Sequence, residues 1–161
     1  MIIILFGLSG TGKNFIGNLF ASHFDFHFWD ADEALTDEMR KAIANKKLFT
    51  QTMRDKLTGI MITYIQQLTT RYPDIVIAQA LYKEKNRLQL QQAFPDAQFY
   101  WVKTDNSIII QRKTSPAAVV DIEYANRMAS NFEEPKLPHR VLINNDDKVS
   151  IINQLKNFKI Y

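Results

Sequence analysis

Cysteine is absent from this chain of 161 residues. No disulfide, thiolate nucleophile or cysteine-based metal site can form, and the composition accords with a reducing, cytoplasmic setting. Long hydrophobic runs are missing as well. The longest, Ile2–Phe6, is far too short to span a membrane. That opening also lacks the basic start and cleavage site of a secretory signal. Neither sign of charge dominates: 20 Lys and Arg face 17 Asp and Glu, for a net charge of +3. So weak a field calls for neither nucleic acid nor a membrane surface as a partner. Glycine and proline are sparse, at five each, and no linker, repeat or low-complexity segment divides the chain. Hydrophobic residues make up 46% and charged residues 23%, which excludes disordered, collagen-like and disulfide-stapled chains. The length suits a single domain, residues 1–161.

Hydrophobic periodicity supplies the elements. Met1–Phe6 is an unbroken β-branched and apolar run, the pattern of a strand covered on both faces. Helical spacing follows over Lys13–Phe24 and, most strongly, over Thr50–Tyr72. Phe26–Asp30, Asp74–Ala80, Gln98–Lys103 and Val141–Asn144 read as further strands. Lys83–Phe94, Asn106–Arg112, Asp121–Phe132 and Lys148–Phe158 read as helices. Alternating strands and helices predict an α/β three-layer sandwich around a mostly or wholly parallel five-stranded sheet. In such sheets ligands bind at the carboxyl ends of the strands. The segments to inspect are therefore Gly7–Asn14, Asp30–Asp32, Gln79–Tyr82 and the residues after Lys103.

The first of these segments carries a motif. Gly7, Leu8, Ser9, Gly10, Thr11, Gly12, Lys13 and Asn14 match G-x-x-x-x-G-K, with Asn14 where serine or threonine is expected. Glycines at these places let successive backbone N–H groups point inward as a nest for phosphate oxygens. Lys13 adds positive charge for the β- and γ-phosphates, and the following helix aims its N-terminal dipole at the same anion. The motif lies between a buried strand and an amphipathic helix, the context its mechanism requires. ATP and Mg²⁺ are the expected cofactors. The amide oxygen of Asn14 can replace the usual hydroxyl as a hard-cation ligand, in a shifted geometry.

Asp30 and Asp32 follow the second strand. If the backbone is extended there, both carboxylates point the same way. Asp30 is then a metal-side ligand, and Asp32 orients an acceptor hydroxyl and takes its proton. The alternative is that either residue caps a helix starting near Glu33.

With these residues in view, the chain resembles the gluconate kinase and shikimate kinase group of small P-loop kinases, and more closely the gluconate kinases. GLSGTGKN and Asp30-Ala31-Asp32 carry the resemblance, with Leu48–Arg54, Ala78-Gln79-Ala80-Leu81 and the basic Lys83, Lys85 and Arg87. Arg112 is similar to the arginine that begins the family's lid, roughly residues 113–120 here, and Phe132-Glu133-Glu134-Pro135 to its acidic-proline ending. The sequence departs at Leu35 and Thr36, where a histidine belongs, and at Thr114-Ser115-Pro116-Ala117 within the lid. The resemblance implies transfer of the ATP γ-phosphoryl group to a small polar acceptor such as gluconate. Lys13, Asp32 and Arg112 would be catalytic, Arg54 would bind the acceptor carboxylate, and Asn14 and Asp30 would hold the metal.

Several readings stay open. Lys113 pairs with Arg112 either over phosphate or on the surface, and Arg127 is a second lid arginine. Trp29 belongs to the core or to the acceptor wall, while Phe99, Tyr100 and Trp101 read as strand core. His23, His27 and His139 show no metal-ligand spacing. Asn144 to Asp147 form a loop near adenine or a turn with a helix cap. A nucleotide-binding module without turnover and a nucleoside monophosphate kinase are the alternatives to a small-molecule kinase. A homodimer is one option for its assembly.

Overall fold

An unbroken apolar strand needs covering on two sides. In the computed structural model, which describes residues 1–113, 122–145 and 147–158, the opening run becomes β1 (Ile2–Phe6), the middle strand of a five-stranded sheet. Its neighbours are β3 (Ile75–Ala78) and β4 (Gln98–Lys103), flanked by β2 (His27–Asp30) and β5 (Arg140–Ile143). The order is β2-β3-β1-β4-β5, and every pairing is parallel.

Period-two alternation splits the core between the two faces. Ile3, Leu5, Val76, Tyr100 and Val102 pack with Ile16, Leu19 and Phe20 of α1 (Lys13–Phe24). Ile4, Phe6, Ile75, Ile77 and Phe99 pack on the other side with Leu57, Met61 and Ile65 of α3 (Gln51–Thr69). Each of these side chains stabilises the fold by about 1.5–3 kcal/mol. Both faces are filled, so the sequence shows a continuous apolar run rather than an alternating one. Trp29 joins the core and lies against Tyr64. It does not line the acceptor side.

The remaining helices are α2 (Asp37–Ala44), α4 (Glu84–Ala93), α5 (Asn106–Lys113), α6 (Ile122–Ser130) and α7 (Lys148–Asn157). Side chains start three of the helices. Thr36 Oγ1 accepts from Met39 N, Thr50 Oγ1 from Met53 N, and Asp147 Oδ1 from Ser150 N. Thus Thr50 precedes its helix rather than opening it. α2 carries no sequence expectation, because its eight residues bury only Met39 and Ala42. No described helix is long and apolar enough to cross a membrane. Of the lid expected over 113–120, the backbone of Lys113 ends α5, and its side chain and residues 114–120 lie outside the described residues, as does Asp146.

Candidate active site

The phosphate loop leaves β1 and enters α1 through Gly12, whose φ of 84° is the left-handed value that glycine adopts without strain. No side chain caps α1 and no acidic residue occupies its first turn. Its N-terminal dipole is therefore left uncompensated at the place where an anion would lie. Lys13 Nζ curls back to donate to the carbonyls of Gly7 and Leu8, at 3.0 and 2.9 Å.

The loop is held from behind by groups far away in sequence. Asn144, 1% exposed, donates Nδ2 to Thr11 O at 2.7 Å. Thr104 Oγ1 is 3.1 Å from the same oxygen and 3.1 Å from Asn144 O. Arg112 donates to Gly10 O at 3.1 Å and to Asn144 O at 3.3 Å. The segment from Asn144 thus braces the loop, and its Asp147 caps α7. A Cβ at Gly12 would sit 2.2 Å from Asn144 Nδ2, so any other residue there would displace the Asn144 amide.

The acidic pair is not extended. Asp30 caps a 3₁₀ turn, Ala31–Ala34, accepting from Asp32 N at 3.0 Å through Oδ1. Its Oδ2 accepts from Asn14 Nδ2. The capping alternative therefore holds for Asp30. The 3₁₀ turn, not a β pleat, carries Asp32 onward, and both carboxylates still line one cleft. Gln79 orients Asp32 by donating Nε2 to Oδ1 at 3.0 Å, while its own Oε1 accepts from Ala80 N at 2.6 Å. Asp32 opens onto the cleft, but protein atoms crowd its carboxyl. Desolvation, then the neighbouring Asp30 charge, raises its pKa, against lowering by Gln79, Lys13 and Arg40.

That cleft has a volume of about 630 Å³. It collects Lys13, Asn14, Asp30, Asp32, Arg54 and Arg112 from four separate segments. Arg54 is half-buried on α3, over the Tyr82 ring at 5.7 Å from its centroid. Burial lowers its pKa, opposed by Tyr82 and Glu133, and its side chain makes no hydrogen bond to a described residue. Arg127 lies apart, donating to Lys46 O at 3.0 Å beside Tyr124. The three histidines serve elsewhere: His27 stacks on Tyr72, His139 packs between Phe6 and Trp101, and His23 meets Ser22.

Two of the basic residues after β3 are structural. Arg87 is fully buried and donates to Glu84 Oε2, Leu81 O and Glu133 O, at 2.7, 3.0 and 2.6 Å. This clamp holds Leu81 at a φ of 48°, costly for a side chain of its size, on the wall of the cleft. Lys85 pairs with Asp55 at 2.7 Å. Glu133 accepts from Glu84 N at the start of α4 and pairs with Lys83 at 3.1 Å. Arg40 lines the cleft without having been singled out in the sequence. It donates to the carbonyls of Asp32 and Glu33, at 3.5 and 3.2 Å. Only the 3₁₀ turn brings α2 back across the site, so no spacing rule could find it.

A magnesium ion would meet hard oxygen donors here. With its nitrogen turned to Asp30, the Asn14 side chain has its amide oxygen left as a ligand, next to one carboxylate. No group of three or more His, Asp or Glu side chains among the described residues could hold a metal alone. One carboxylate, one amide oxygen and the nucleotide's own phosphates make up the sparse donor set that Mg²⁺ accepts.

The fold recurs among small-molecule kinases. A gluconokinase from Sinorhizobium meliloti 1021 superposes with a TM-score of 0.80 at 16% identity, over 99% of this chain and 97% of that one. A sugar kinase from Janibacter sp. HTCC2649 gives 0.85 at 15% identity, over 99% and 94%. A shikimate kinase from Aquifex aeolicus gives 0.62 at 12% identity, over 99% and 96%. No curated protein matches the chain in sequence. The family model described as "Shikimate kinase" matches residues 9–156, from the phosphate loop into the last helix, and by that match the chain belongs to the shikimate kinase family of small P-loop kinases.

Proposed function

We propose that the chain transfers the γ-phosphoryl group of ATP to a hydroxyl of a small anionic alcohol. One observation carries this reading: Lys13 and a carboxylate held by Gln79, Asp32, face the same cleft and sense each other's charge. ATP would seat its β- and γ-phosphates in the Gly7–Asn14 nest, against Lys13 and the α1 dipole. Asn14 and Asp30 would hold Mg²⁺, which when bound neutralises phosphate charge. Asp32 accepts the proton of the acceptor hydroxyl as its oxygen bonds to the γ-phosphorus and the bond to the ADP oxygen breaks. Arg112, at the rim of the loop, stabilises charge on the transferred group. Arg54, half-buried, offers two parallel donors to the acceptor's anionic group. Most of the rate acceleration would be positioning and electrostatics. A sugar acid such as gluconate is the acceptor that the sequence resemblance implies.

Calorimetry with ADP and Mg²⁺ tests the nucleotide half. The wild type binds, and Lys13→Ala weakens binding at least tenfold; unchanged affinity in the variant would contradict the assignment. A coupled ADP-release assay with acceptors tests the transfer half. A second reading, a nucleotide-binding module without turnover, draws on the Asn14–Asp30 hydrogen bond, which already engages one oxygen of the carboxylate proposed to hold the metal. Tight ADP binding with no transfer to any hydroxyl acceptor favours it.

A further inference from the structure

The cleft has two unlike halves. Around the phosphate loop it is polar, lined by Ser9, Lys13, Asn14 and Asp30. Away from the loop its walls are Leu35, Ile43, Leu48, Phe49, Leu57 and Met61, from the 3₁₀ turn through α3. Tyr124 and Met128 of α6 face them, and the Tyr124 hydroxyl is turned away to Lys47 O at 3.1 Å.

Polar groups in this half are few, and most are already engaged. Asn86 Nδ2 lies 3.0 Å from acceptors on Asp55, Thr58 and Gln89, which take up both its hydrogens, and its oxygen accepts from Gln51. Thr58 donates to Arg54 O. Gln79 is used at both ends, by Asp32 and by Ala80 N. Arg40 reaches the carbonyls of Asp32 and Glu33. What the described side chains leave for an acceptor is the Asp32 carboxylate, the Arg54 guanidinium, the Arg40 N–H groups not turned to those carbonyls and the Tyr82 hydroxyl beside Ser9 N. Between them the surface is hydrocarbon and aromatic.

Such a lining discriminates by desolvation. A polyhydroxylated acid would bring several hydroxyls against walls that cannot bond them, and each stranded hydroxyl lowers affinity by about tenfold. Each methylene that packs on the same walls raises it by a comparable factor. We infer that the acceptor is an amphipathic hydroxy acid: one hydroxyl for Asp32, one carboxylate or phosphate for Arg54, and an apolar ring or chain between them. This rests on the phosphotransferase reading of the cleft and narrows its substrate class away from sugar acids.

The test uses the full chain with ADP and Mg²⁺, titrated by calorimetry with four probes: 3-(hydroxymethyl)benzoate, 3-(hydroxymethyl)cyclohexanecarboxylate, gluconate and shikimate. The first two are expected to bind at least tenfold more tightly than the last two, with a negative heat-capacity change from apolar burial. Arg54→Leu should abolish the preference for the benzoate over benzyl alcohol, and Leu57→Asn should narrow the gap between the benzoate and gluconate. Tighter binding of gluconate or shikimate, or no binding of either apolar acid, overturns the inference. The ADP titration in the same samples keeps the two failures apart. If ADP binds while the apolar acids do not, only the substrate class falls. If ADP does not bind, the kinase reading falls with it.

Discussion

Gly12 and Asn144 are 132 residues apart in the chain, yet each restricts the other, and a double-mutant cycle should expose this. Gly12→Ala places a methyl in a left-handed backbone, at about 1–2 kcal/mol. The same methyl would lie 2.2 Å from Asn144 Nδ2. The Asn144 side chain must withdraw, and its 2.7 Å bond to Thr11 O is lost, at about 1–2 kcal/mol more. The single variant should therefore lose about 2–4 kcal/mol. Asn144→Ala loses the same bond directly. Thr104 still serves Thr11 O, so no carbonyl is orphaned, and with the small void the loss is about 2–3 kcal/mol. In the double variant the bond is lost only once and the new methyl fills part of the void. Only the backbone strain adds in full. The pair should fall short of additivity by about 1–2 kcal/mol, read by guanidinium denaturation of all four proteins. ADP affinity should follow the same order, because Thr11 O anchors the loop that would cradle phosphate. Stability losses that add to within about 0.5 kcal/mol would refute the reasoning.

Asp32→Asn should abolish transfer while raising stability at neutral pH, because a carboxyl with a raised pKa opposes folding once it is charged. Its folded pKa lies above the unfolded value of 3.8. The stability gain is therefore greatest above the folded pKa and vanishes below about pH 3.8, which paired melting curves across pH will check, and activity of the wild type should fall as pH drops through the same raised pKa. Asn14→Ser frees Asp30 Oδ2 and supplies a hydroxyl ligand. The ratio of ADP affinities with and without Mg²⁺ should rise severalfold, and an unchanged ratio would remove Asn14 from the metal position. Arg87→Leu leaves the Glu84 carboxylate without its buried ion partner and takes the donor from the carbonyls of Leu81 and Glu133, at about 3–5 kcal/mol. The melting temperature should drop by roughly 10 °C; a drop under about 3 °C would deny the clamp its role.

The sequence by itself determined the sheet. A strand buried on both faces has to be apolar throughout, so Met1–Phe6 and Asp74–Ala80 announced themselves, and parallel pairing followed from their alternation with helices. It also determined the phosphate loop, because anion binding at a helix start demands glycines and a lysine at fixed spacing within one short segment. Local signals of this kind survive without tertiary context. The geometry of the acidic pair did not, since Asp30 and Asp32 fit an extended strand end and a capped 3₁₀ turn equally well. Tertiary structure chose the turn, and with it the position of Arg40. The brace from Asn144, the burial of Arg87 and the apolar half of the cleft were also decided there. Each depends on which distant segments the sheet order β2-β3-β1-β4-β5 brings together, and hydrogen bonds across a hundred residues leave no periodicity behind. The missing histidine at Leu35 reads in sequence as a local departure. In the folded chain Leu35 is one panel of a hydrocarbon wall, because Phe49, Leu57 and Met61 stand around the same cavity.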